Sequence, residues 1–154
     1  PAEVTPTPDA PPPAPDELDF ALVRLADRFG DADFRGEPRG WISLPAAPPP
    51  LVVGDPLIIV QHPDGFPIRM AIDTEAILPT PPPQRPRIRY ATNTLHGSSG
   101  SPCFTMDWEL VALHHFGDPA WTEPKFNQGV PAPLIWADIE AAGFGSLLGQ
   151  APGA

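Results

Sequence analysis

Two adjacent serines stand between glycines in Gly97-Ser-Ser-Gly-Ser-Pro102. A serine hydroxyl is a poor nucleophile until a base takes its proton and nearby donors stabilise the oxyanion that forms. Small residues on both sides let the backbone turn tightly and expose a hydroxyl with N–H groups beside it. The imidazoles in the chain are His62, His96, His114 and His115. His96 is three residues from Ser99, but neighbours in a tight loop seldom align ring and hydroxyl, and geometry precedes pKa in choosing a base. His62 before Pro63 reads as a turn residue. Cys103 with scattered histidines lacks the four-ligand spacing of a closed zinc site, so no metal is expected. An α/β-hydrolase elbow needs Gly-x-Ser-x-Gly; here Ser101 occupies the last glycine, and no strand–helix alternation surrounds it.

The elements that must hold these residues are short strands. Phe20–Leu25, Trp41–Leu44, Leu57–Val60, Ile68–Ile72, Arg87–Ala91, Cys103-Phe104 and Leu110–His114 are strand-length apolar or alternating runs bounded by Gly, Pro and Asp. Gly54-Asp-Pro56 and the region of Asp107-Trp108 supply turns. Short strands with turn signals between them predict an all-β sandwich or barrel. One helix is expected over residues 133–142, with Pro133 in its first turn and Gly143 as its stop. Prolines cluster between the runs. Residues 1–15 are a Pro/Ala tract read as linker or loop, and Pro45–Pro50 and Pro79–Pro86 interrupt the chain in the same way. The tail after Gly145 is read as frayed.

Tyr90–Thr94 leading in, the Gly97–Pro102 loop, and Cys103–His114 leading out together resemble the nucleophile segment of chymotrypsin-fold serine peptidases. Ser101-Pro102 is similar to the bacterial glutamyl-endopeptidase-like branch. Leu18-Asp-Phe-Ala-Leu-Val-Arg-Leu25 resembles the family's strand that carries the triad aspartate, and the 54–65 and 127–131 segments resemble strands of its second barrel. The resemblance spans about 16–143. It implies Ser99 as nucleophile, the backbone N–H groups of Gly97 and Ser99 as oxyanion hole, and Asp19 as the residue that orients a histidine. Ser98 stands where the family usually has Asp or Asn. The family order is His, Asp, Ser, and all four histidines follow Asp19, so the base is expected upstream of residue 1. The implied fold is a chymotrypsin-like double β-barrel, with the end of barrel one over 16–49, barrel two with a C-terminal helix over 50–145, and a flexible tail over 146–154. In the glutamyl-endopeptidase-like branch, an acidic P1 side chain is read by a residue five before the nucleophile and a histidine fifteen after it. Those positions are Thr94 and His114, and Asn93 stands where trypsin-like pockets carry their aspartate.

Composition bounds the partners. The formal net charge is −10 over 154 residues, a surface that repels phosphate backbones, so nucleic acid is not expected. No apolar run is long enough to cross a membrane. Cys103 is the only cysteine, so no intrachain disulfide forms, which fits a reducing compartment and slightly favours the cytoplasm. The expected activity is peptide-bond hydrolysis through an acyl-enzyme, with no cofactor. The expected partners are a peptide or protein substrate and the missing N-terminal half of the same protein, without which this part is expected to be inactive. The rival reading is a non-catalytic peptidase-like binding module in a multidomain bacterial protein.

Overall fold

The computed structural model describes residues 17–47, 49–79, 87–117 and 126–148. The Pro1–Pro15 tract, most of Pro79–Pro86 and the last residues of the tail lie outside the described residues.

Two strands of two residues each come first, β1 (Asp33–Phe34) and β2 (Glu37–Pro38), paired as a small antiparallel ladder. The main sheet follows: β3 (Leu57–Gln61), β4 (Arg69–Asp73), β5 (Ile88–Tyr90), β6 (Pro102–Phe104), β7 (Leu110–Gly117) and β8 (Asn127–Pro131). The chain closes with helix α1 (Ala132–Ala141) and a short 3-10 turn at Gly145–Leu147. Every pairing is antiparallel, in the order β4-β3-β6-β7-β8-β5. The sheet curls. Residues just past β4 run back along β5, where Leu78 N–H donates to Arg89 O at 2.9 Å and Ala91 N–H to Ala76 O at 2.9 Å. The edge strands are thereby tied together. The fold is all-β with a C-terminal helix, as the sequence predicts, and α1 lies within a residue of the expected 133–142.

Alternate residues of β3 serve opposite faces, as a strand requires. Leu57 and Ile59 join Ala76, Ile77, Tyr90, Cys103, Val111 and Ala112 in the core inside the curl. Ile58 faces the other way and packs with Phe104, Leu110 and Ala132. A third cluster joins Val130 to Ile135 and Ile139 of α1, with Leu18, Phe20, Leu44 and Leu113 against it. Leu18 and Phe20 thus lay the segment around Asp19 against the helix and the sheet. Arg87 strengthens the attachment, its Nη2 donating to Glu17 O at 2.9 Å.

Two expected strands do not form. Phe20–Leu25 and Trp41–Leu44 have strand-type side chains but no ladder partner among the described residues. Leu22, Val23, Leu25, Trp41 and Ile42 are all exposed. Strand propensity records how well a side chain fits a pleated, half-buried surface, and without a neighbouring strand there is no such surface to fit.

Candidate active site

The loop carrying Ser99 is strapped to β7 just after the hydroxyl. Gly100 N–H donates to His114 O at 2.7 Å, and His114 N–H donates to Ser101 O at 2.8 Å. The Ser99 hydroxyl itself donates to His115 O at 3.2 Å. Below it, the buried Ser98 hydroxyl donates to Gln61 Oε1 at 2.7 Å, while Gln61 Nε2 donates to Asn93 O at 3.1 Å. One buried amide at the end of β3 therefore fixes both the loop and the segment leading into it. Gln61 supplies the anchor for the serine that stands where the family usually has Asp or Asn.

Gly97 has φ +82°, a conformation that side chains with a Cβ rarely adopt, so glycine is required there. His96 O accepts from Asp64 N–H at 2.6 Å, so the 62–66 turn braces this corner. The N–H groups of Gly97 and Ser99 donate to nothing among the described residues, which leaves both available to a ligand.

Ser99 borders a pocket of about 370 Å³ lined by Thr94, Gly97, His114, His115 and Asn127 among others. The sequence-predicted Ser99, Gly97, Thr94 and His114 thus share one cavity. Thr94 is half-buried and its hydroxyl donates to Asn127 Oδ1 at 3.1 Å, while Asn127 Nδ2 donates to Thr92 O at 2.7 Å. His114 is buried, with Nδ1 2.7 Å from the Tyr90 hydroxyl. Burial lowers its pKa to about 4, and the neighbouring His115 pushes the same way. The ring is neutral at pH 7. Burial pushes the Cys103 thiol up to about 12 and the Tyr90 phenol well above its usual value, so both stay protonated. The Cys103 thiol reaches the Tyr90 oxygen at 3.7 Å. A neutral His114 whose Nδ1 accepts the Tyr90 hydroxyl carries its proton on Nε2.

Asp19 comes to the same place from the far end of the chain. Its Oδ2 is 2.9 Å from His115 Nδ1. His115 faces Asp19 because β7 is bulged. His114 pairs with Gly129 and Phe116 with Gln128, so His115 is an extra residue without a counterpart on β8. A bulge of this kind re-aims a side chain that strict alternation would send elsewhere. Gly129 permits the close strand approach, since a Cβ there would lie 2.9 Å from Leu113 O. None of the four imidazoles hydrogen-bonds the Ser99 hydroxyl, whose partner is a carbonyl. Sequence reading did not single out Gln61, Tyr90, His115 or Asn127 for the site. Their roles arise from register and the bulge, and the pair of consecutive histidines was the one local signal.

Over 108 residues the chain is 31% identical to the uncharacterized protein y4fB of Sinorhizobium fredii, covering 68% of this chain and 16% of that relative. Two solved structures of Rv3671c from M. tuberculosis are similar in shape. The inactive form of a serine-to-alanine mutant has a TM-score of 0.49 at 15% identity, covering 73% of this chain and 57% of that one. The Rv3671c protease in its inactive form has a TM-score of 0.47 at 16% identity, covering 72% and 55%. The chain therefore spans little more than half the length of those structures and about 16% of the curated relative. Residues 3–113, which include both Asp19 and Ser99, match the family described as the trypsin-like peptidase domain, and the chain belongs to that family.

Proposed function

We propose that this chain is the part of a serine endopeptidase that carries Ser99 and Asp19, and that the catalytic histidine comes from an N-terminal half of the same protein. The observation that carries the reading is the meeting of two residues 80 positions apart: Ser99 and Asp19 are both bonded to His115. In this reading the upstream imidazole takes the Ser99 proton as Oγ attacks the scissile carbonyl carbon. The Gly97 and Ser99 N–H groups stabilise the oxyanion, and Asp19 orients the imidazole and stabilises its charged form. Collapse of the tetrahedral adduct breaks the C–N bond, and the imidazolium gives its proton to the leaving amine. Water activated by the same imidazole then hydrolyses the acyl-enzyme, returning the proton to Ser99. Without that base the Ser99 hydroxyl stays parked on a carbonyl, and this chain alone is inactive.

The pocket supports a preference for an acidic P1 side chain, as in the glutamyl-endopeptidase-like branch. Neutral His114 presents an Nε2–H donor to a carboxylate, and Thr94 turns its hydroxyl from Asn127 to the same ligand. The experiment is fluorophosphonate labelling of this chain and of the protein extended by its natural upstream half. The extended protein labels at Ser99, Ser99→Ala abolishes labelling, and this chain alone does not label quickly. Matched peptides with P1 Glu, Gln, Leu and Lys then rank Glu first, and His114→Ala removes that ranking. An extended protein that does not label at Ser99 belongs with the non-catalytic binding modules. Equal cleavage after Lys or Leu removes the acidic pocket and leaves the peptidase.

A further inference from the structure

Asp19 is poorly placed to hold itself still. It lies in a stretch with no strand pairing, and its side chain is 57% exposed. A carboxylate in that setting rotates freely, and a triad carboxylate that is out of position cannot orient an imidazole. Leu18, Phe20 and the Arg87–Glu17 bond fix the backbone, but they leave the Asp19 side chain to find its own direction. One group in the described structure gives it that direction. The His115 ring is 5% exposed, held at the bulge in β7, with Nδ1 2.9 Å from Asp19 Oδ2. A carboxylate only accepts, so the proton of this bond is on Nδ1. The bond occupies Oδ2 and leaves Oδ1 for a second imidazole. The backbone of the same residue accepts the Ser99 hydroxyl at 3.2 Å.

We infer that His115 is a positioning residue for the reaction proposed above. Its imidazole fixes the Asp19 carboxylate through Nδ1–H, and its carbonyl sets the resting position of Ser99, so one bulged residue sets the spacing of nucleophile and acid. The inference rests on the serine-peptidase reading, and it adds a role that reading does not require. His115 does not touch the reacting atoms through its ring. The effect of its ring on catalysis therefore passes through Asp19 and is lost when Asp19 is lost.

The test uses the protein extended by its upstream half. His115→Phe keeps a ring and removes the donor. It lowers kcat about 10- to 100-fold, the scale of a misplaced catalytic group, with KM little changed. His115→Asn places an amide N–H near the position of Nδ1 and restores most of the loss. In the Asp19→Ala background, His115→Phe changes kcat less than about two-fold, because the interaction it removes is already gone. A purely structural role gives the same loss in both backgrounds and no rescue by Asn, and that result overturns the inference. The second measurement does not depend on activity or on that variant folding. In the 15N spectrum of the His115 ring in this chain, Nδ1 carries the proton and Asp19→Ala shifts its resonance. An unprotonated Nδ1, or one indifferent to Asp19, overturns the inference even in an active enzyme. Absent Ser99 labelling with the expected Nδ1 signal overturns the peptidase reading and the catalytic role with it, leaving only the contact.

Discussion

Residues 17–47 and the sheet that follows them are built by opposite means. In the first region Gly30 is the only buried residue, and Leu22, Val23, Phe29, Phe34, Trp41 and Ile42 stand in solvent. In the second, Leu57, Ile59, Tyr90, Cys103, Val111 and Ala112 are almost completely buried in a ladder of antiparallel pairs. The first region nonetheless carries one of the two residues proposed for the site. Asp19 reaches its place by two packed neighbours, one Arg87 bond and one imidazole, whereas Ser99 is held by a sheet. The contrast shows that burial and placement are separable. The sheet supplies stability, and a few directed bonds aim the segment that contributes little to it.

The sharpest way to break the contrast is to delete side chains from each region. Leu57→Ala removes apolar atoms from a site with 0% exposure and leaves a cavity. It is expected to cost about 3 kcal/mol of unfolding free energy. Val23→Ala, at 71% exposure, is expected to change stability by less than about 0.5 kcal/mol. Urea unfolding of the two variants gives both values. Comparable losses would mean that residues 17–47 bury a core of their own.

Acid separates the regions next. His114 has its pKa lowered from 6.5 to about 4 by burial in the sheet, with help from His115. The native state binds fewer protons at this group than the unfolded chain does. Stability from it is therefore full above pH 6.5, falls as pH drops from 6.5 towards 4, and is lost below. At 1.36 kcal/mol per pKa unit the loss is at most roughly 3 kcal/mol. Urea midpoints between pH 7.5 and 4 should fall less steeply for His114→Asn than for the unsubstituted chain. An unchanged slope in His114→Asn would place that imidazole in water.

The same division decides what the sequence discloses. Strands with neighbours are legible: Leu57–Val60 is expected against Leu57–Gln61 found, and Asn127–Pro131 is a quoted segment that becomes β8. Turn residues bound these runs, and pairing rewards their side chains. Phe20–Leu25 has the same side chains and no ladder, because a strand depends on a partner that local sequence does not specify. At the site, Ser99, Gly97, Thr94 and His114 meet at one pocket because the short loop and adjoining hairpin leave little freedom. Gln61 is less legible, since its partner Ser98 lies 37 residues away. His115 is the extreme case. Strict alternation would separate its role from that of His114 by face alone, and only the one-residue slip between β7 and β8 turns it to Asp19.

The smallest energetic effect bears on what covers the first region. Leu22, Val23 and Ile42 offer apolar surface with no strand beside it, which invites association. Ile68, Met70 and Ile72, in and beside edge strand β4, are also exposed, at 63%, 54% and 51%. The contrast between regions assigns most of the sticky surface to 17–47, because β4 is already paired along one side while the first region has no long ladder. Serine at positions 22, 23 and 42 together is expected to lower binding of a hydrophobic dye more than serine at 68, 70 and 72. Each change in the first set should alter unfolding free energy by less than about 0.5 kcal/mol, since surface substitutions away from packed features do little. Trp41 is left out because its ring packs on Gly30, where a Cβ would fall 2.0 Å from the indole. The protein extended by its upstream half should bind little dye with either set intact. If dye binding follows β4, the exposed sheet edge is the surface that needs a partner, and the first region is merely solvated. If the 154-residue chain binds no dye and stays monomeric, both regions stand as a complete unit and the upstream half is not needed to cover them.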